Sequence, residues 1–78
     1  MARSRLIKAG IIGMGGIGPA HYDAICHVGG VEVTSIAEVN PKRATFCGEK
    51  YAIRKVHSDY LALIDDKEIE VVHVTSPN

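Results

Sequence analysis

The chain has 78 residues, and nine lysines and arginines balance nine aspartates and glutamates, so the net charge is zero and nothing favours a nucleic-acid partner. No apolar run approaches the roughly 18 to 20 residues that span a bilayer, and Leu6 to Ile12, interrupted by Lys8, makes a poor secretory leader. A chain this short forms one domain or less and buries only about 60 to 65% of its unfolded surface.

Leu6 to Ile12 reads as a buried strand that stops at a glycine cluster. Ile17, Ala20, Ala24, Ile25 and Val28 recur at offsets of 3, 7, 8 and 11, which predicts a helix with those residues facing inward. Pro19 suits its first turn, where amides have no partner inside the helix, and Gly29 and Gly30 end it. Val31 to Ala37 is a second strand, with Val31, Val33, Ser35 and Ala37 alternating against Glu32, Thr34 and Ile36. Asn40 and Pro41 form a cap and first-turn pair for a second helix, whose inner face is Ala44, Cys47 and Tyr51. Lys55 to His57 is a short third strand, Ser58 caps a short helix with Leu61 and Ile64 inward, and Ile69 to Thr75 is the last strand.

Strand and helix alternate throughout, which predicts an α/β fold: a Rossmann-type parallel sheet with helices on both faces, ending after about four strands. Right-handed crossovers put the first strand at the centre, between the second and the last, with the third on the outer edge. A complete fold of this type has about six strands, so residues 1–78 are expected to be part of an N-terminal dinucleotide-binding domain, with any substrate domain absent. Such a piece alone is expected to bind a dinucleotide weakly and to leave the last strand's edge bare.

Gly13, Gly15 and Gly18 give the spacing G-x-G-x-x-G, filled out by Met14, Gly16 and Ile17. The spacing alone is weak, but it follows a buried strand, opens a helix, and precedes by 20 residues an acid, Glu38, at the tip of the second strand. Gly13 permits the tight turn, Gly15 lets a pyrophosphate approach the backbone, and Gly18 lets the helix pack closely. Free amides around Gly16 and Ile17 then face phosphate oxygens at the positive end of the helix dipole. A P-loop would need Gly-Lys-Ser/Thr, and an S-adenosylmethionine loop usually follows a strand with an acidic end; this strand ends Ile11, Ile12. Glu38 is placed to accept both adenosine-ribose hydroxyls and to repel a 2′-phosphate, which favours NAD over NADP. Lys42 and Arg43 stand nearby and could offset that repulsion, although exposed charges on a helix's first turns are the blander reading.

These residues resemble the glucose-fructose oxidoreductase and inositol 2-dehydrogenase family, also written Gfo/Idh/MocA, over nearly the whole chain. The landmarks are His21 and Ala24 after the glycine motif; Glu38, Asn40, Pro41, Lys42, Arg43 and Ala44; Asp59, Tyr60, Leu61, Leu63 and Ile64; and a strand running into Ser76, Pro77 and Asn78. Glutamate for aspartate at position 38 and serine for threonine at 76 depart from the family pattern. The resemblance implies a cofactor site comprising Gly13, Met14, Gly15, Gly16, Ile17, Gly18, Glu38, Asn40, Arg43, Thr75, Ser76, Pro77 and Asn78, with Ser76 beside the nicotinamide ribose. It implies an oxidoreductase moving hydride between nicotinamide and a sugar, cyclitol or related polyol. The catalytic Glu-Lys-Pro and histidine of the family would lie beyond this chain, as would a C-terminal domain through which homo-oligomers form. A non-catalytic dinucleotide-sensing or interaction module is the alternative.

His21, His27, His57 and His73 are separated by 6, 30 and 16 positions, a spacing without metal-ligand character, and His21 suits a helix-sheet junction. Tyr60, on the sheet's outer side, is a poor catalytic phenol. Cys26 and Cys47, 21 positions apart in helical patterns, read as small buried thiols in a reducing, cytoplasmic setting.

Overall fold

β-Branched runs bounded by glycine or Asx turns, alternating with capped amphipathic segments, give seven elements in the computed structural model, which describes residues 6–16 and 18–75. They are β1 (Ile7–Ile12), α1 (Gly18–Val28), β2 (Val31–Ala37), α2 (Pro41–Lys50), β3 (Lys55–His57), α3 (Tyr60–Ile64) and β4 (Val71–Val74). The strands form one parallel sheet in the order β3-β2-β1-β4, the order that right-handed crossovers require. Val56, Ile36, Ile11 and His73 are lateral neighbours across it. Their face carries α1 and α2: Ile11 and Ile36 share a buried cluster with Ile25 and Cys47, and Gly48 of α2 lies against Val56. The opposite face carries α3, whose Leu63 packs on Gly10 so closely that a Cβ there would meet Cδ2 at 2.9 Å.

Three expectations about side-chain direction need correcting. In β2 the simple alternation breaks, because Ala9 pairs with Val33 and Gly10 with Ser35, leaving Thr34 as an extra residue. This bulge shifts the phase of the strand, so Ile36 joins Val31 and Val33 in one cluster instead of opposing them. In α1, Ala20 and Ala24 are exposed, as is Val28 at 78%, while Gly18, His21, Tyr22 and Ile25 face the sheet. Offsets of three, four and seven make that a sound helical stripe; burying ring and aliphatic surface of Tyr22 and Ile25 gains more than burying two alanine methyls. Tyr22 lies against Tyr51 with ring centroids 4.2 Å apart.

The third correction concerns α3. Asp59, not Ser58, is its cap, accepting from the Leu61 amide at 2.7 Å. Leu63 is fully buried, whereas Leu61 and Ile64 are 55% and 52% exposed. Cys26 is exposed, contrary to expectation, while Cys47 is buried; both are free thiols. The last strand is shorter than expected, because the Ile69 amide closes a turn on the Asp66 carbonyl at 3.1 Å and Thr75 lies just past the strand's end. Among the described residues no helix is long and apolar enough to cross a membrane.

Leu63→Ala should lower stability by about 2 to 5 kcal/mol through loss of burial and the void left over Gly10. Leu61→Ala should cost less than about 1 kcal/mol. Urea midpoints of the two variants check this, and equal losses would return Leu61 to the inner face.

Candidate dinucleotide site

The turn after β1 opens with Gly13 at φ 91°, a left-handed conformation that favours glycine. Its amide donates to the Ala37 carbonyl at 2.8 Å, tying the turn to the end of β2. The next amide, of Met14, donates to Glu38 Oε1 at 2.7 Å, while the Met14 side chain fills the core beside Ile11 and Ile25. The Gly18 amide returns to the Gly15 carbonyl at 2.9 Å as α1 begins. Among the described residues the amides of Gly15 and Gly16 have no acceptor, and they sit beside the N-terminus of an 11-residue helix. Amides so placed suit an anion, and a phosphate of a dinucleotide fits them.

Gly18 does the work the spacing gives it, whereas the open approach expected at Gly15 falls at Gly16. Gly16 has φ 51° and nothing within 4 Å of a Cβ built on it, so its backbone is open to approach. At Gly18 a Cβ would lie 2.5 Å from the Gly13 carbonyl oxygen, so only glycine lets α1 come down onto the turn. At Gly15 the neighbour is Arg43, whose Cζ and Nη1 would stand 3.2 Å from a Cβ.

Glu38 is 5% exposed. Oε1 accepts from Met14, and Oε2 accepts from the Asn40 amide at 3.0 Å and from Arg43 Nη1 at 3.3 Å. Burial pushes this carboxyl up, but the Asn40 and Met14 amides, with Arg43, outweigh burial and hold it below its ordinary 4.5. A carboxylate offers about four acceptor positions, so with Arg43 in place Glu38 retains room for one further donor, on Oε1. Asn40 serves mainly as the α2 cap, its Oδ1 accepting from the Arg43 amide at 3.0 Å.

Gly13, Met14, Gly15, Gly16, Gly18, Glu38, Asn40, Arg43 and Thr75 therefore meet around one turn, though Met14 and Asn40 contribute through the backbone and the cap. Ile17, Ser76, Pro77 and Asn78 lie outside the described residues. Two features escaped the sequence reading. Thr75 Oγ1 donates to the Gly13 carbonyl and lies 3.2 Å from that of Ile12, and the rings of His21 and His73 meet edge to face at 5.4 Å. Among the described residues no three His, Cys, Asp or Glu side chains are grouped to hold a metal ion.

Residues 7–78 match the model of the GFO_IDH_MocA oxidoreductase family, NAD-binding Rossmann fold. The chain belongs to this family. Within the GFO_IDH_MocA family, it is 43% identical over 74 residues to inositol 2-dehydrogenase of Salmonella typhimurium, covering 92% of this chain and 22% of that protein. It is 31% identical over 80 residues to inositol 2-dehydrogenase/D-chiro-inositol 3-dehydrogenase of Lactiplantibacillus plantarum, covering 100% and 23%. The fold matches a crystal structure of myo-inositol dehydrogenase from Lactobacillus casei in complex with NAD(H) and myo-inositol, with TM-score 0.82 and 30% identity, covering 91% of this chain and 22% of that one. The chain thus spans about a fifth of the length of these relatives.

A carboxyl whose pKa falls on folding stabilises the protein above its unfolded value, and that contribution is lost as pH drops through the folded one. Stability should therefore decline as pH falls below about 4.5, and Glu38→Gln should flatten that part of the profile, read as thermal midpoint against pH. Gly18→Ala should separate α1 from the turn and abolish dinucleotide binding while the sheet's circular dichroism persists. Unchanged binding by Gly18→Ala would remove the close approach from the site.

Proposed function

We propose that the protein carrying this chain is an NAD-dependent oxidoreductase that moves hydride between nicotinamide and the carbinol carbon of a sugar, cyclitol or related polyol, and that these residues supply its grip on the cofactor. The observation that carries the reading is the pair of amides, Gly15 and Gly16, that have no acceptor among the described residues, beside the start of α1 and next to a carboxylate on the tip of β2. Relatives whose names state inositol dehydrogenation support the substrate class.

The bound dinucleotide supplies the hydride chemistry at its nicotinamide ring. The chain's own residues bind and orient. Gly15 and Gly16 would donate to pyrophosphate oxygens, and Glu38 Oε1 would accept from one ribose hydroxyl, with Oε2 free for the second where Arg43 swings aside. Ser76, Pro77 and Asn78 meet the nicotinamide ribose by family resemblance. No catalytic group is assigned to this chain; the lysine that handles the hydroxyl proton belongs to sequence beyond it.

The preference for NAD now has a different physical basis from direct repulsion alone. Arg43 stands 3.2 Å from a Cβ built on Gly15, and its charge is already matched by Glu38 at 3.3 Å, so Arg43 offers a 2′-phosphate no uncompensated charge. Calorimetric titration of the full-length protein should show NAD binding tighter than NADP. Glu38→Gln should free Arg43 and narrow the ratio by about tenfold, roughly 1.4 kcal/mol. An unchanged ratio would remove Glu38 from cofactor selection. Appearance of NADH absorbance with inositol or a related polyol tests the reaction, and a protein that binds NAD without turning over any polyol would be the sensing module instead.

A further inference from the structure

The turn that presents Gly15 and Gly16 is held by two successive peptide groups, each fixed at both ends. The first, between Ile12 and Gly13, has its carbonyl accepting from the Thr75 amide at 2.9 Å and its N–H donating to the Ala37 carbonyl at 2.8 Å. The second, between Gly13 and Met14, has its N–H on Glu38 Oε1 at 2.7 Å and its carbonyl on the hydroxyl of Thr75. Strand β2 thus holds the hydrogen side of both planes and the end of β4 holds the oxygen side. Three of these four attachments are to backbone or to Glu38; the fourth is a single side-chain hydroxyl, from a residue 62 positions away that is 8% exposed.

We infer that Thr75 is a positioning residue of the dinucleotide site: its hydroxyl fixes the Gly13–Met14 peptide plane and thereby presets the free amides that follow it, without touching the ligand. The Gly13 carbonyl lies beneath the first turn of α1, only 2.5 Å from where a Gly18 Cβ would stand, so it is poorly placed to find water if the hydroxyl is removed. A half-buried carbonyl without a donor is unfavourable, and rotation of this plane is the motion that relieves it. The same rotation carries the Met14 N–H away from Glu38, because carbonyl and N–H belong to one rigid planar unit. The amides of Gly15 and Gly16 follow directly and have no acceptor among the described residues to hold their orientation, Gly15 being tied only through its carbonyl, which accepts from the Gly18 amide at 2.9 Å. Thr75 therefore acts on binding through the geometry of its neighbours, a role distinct from the direct cofactor contact that the family resemblance implies for it.

This inference rests on the dinucleotide reading for its consequence but not for its geometry, and the experiment separates the two. Thr75→Val keeps the shape and removes the hydroxyl; Thr75→Ser keeps the hydroxyl. Amide hydrogen exchange of the ligand-free full-length protein is measured at Met14, and NAD affinity is measured by titration. Thr75→Val should speed Met14 exchange while leaving β1 and β2 protected, and should raise the Kd for NAD by about five- to tenfold. Thr75→Ser should match the wild type in both. Wild-type values for Thr75→Val, or equal losses in the two variants, would overturn the assignment. Should valine prevent folding, serine alone decides, since a retained hydroxyl demands retained Met14 protection. A split in exchange between the two variants, in a protein that binds no NAD, would uphold the latch and sink the cofactor reading.

Discussion

At Gly13 the backbone leaves a strand, reverses, and must reach the start of a helix within five residues, all while packed between two other strands. The hydrogen bonds converging there decide where everything nearby can sit. Ala37 holds the Gly13 amide and Thr75 its carbonyl, while Glu38 holds the next amide. A turn with φ of 91° is accessible to glycine at little steric expense, but accessibility alone would leave an ensemble. Attachments from both flanking strands select one member of it. The position of α1 then follows from the absence of a side chain at Gly18, and the direction of the free amides follows from the position of α1.

Glu38 illustrates how one group can serve the fold and the site together. Its burial would ordinarily favour the neutral form, yet two amides and Arg43 keep it ionised. That charge compensates Arg43, so the side chain proposed to select between cofactors is also the one that steadies the turn. Changing it for specificity is therefore coupled to changing the loop's order.

Much of this was legible in the sequence because the relevant signals are local. The bounds of β2 and β3, Asn40 as the α2 cap, and the glycine turn depend on residues within a few positions of one another, and Glu38, 24 positions after Met14, was marked by its spacing from that turn. Strand order follows from connection lengths and handedness. What failed was direction. Aliphatic periodicity favoured Ala20, Ala24 and Val28 in α1, but the sheet took His21 and Tyr22, whose rings fill more space against it. In β2 an extra residue at Thr34 is invisible to a period-two reading, and α3, five residues long, is too short for spacing to separate Leu63 from Leu61 and Ile64. The Thr75 hydroxyl lay beyond reach for another reason: its partner is 62 residues distant, and no local pattern marks a threonine that closes such a loop.

The contrast between the two thiols gives the molecule a chemical asymmetry. Cys26 faces solvent, while Cys47 is enclosed in α2, where burial and then the charge of Glu38 push its thiol above the ordinary 9.0 despite Arg43 and Lys50. An alkylating reagent attacks the thiolate, so Cys26 is a ready attachment point for a dye and Cys47 is silent in the closed form. Cys47 reacts only when α2 lifts from the sheet. Its modification rate is consequently a clock for that opening, set within the same few residues that hold Glu38 in place.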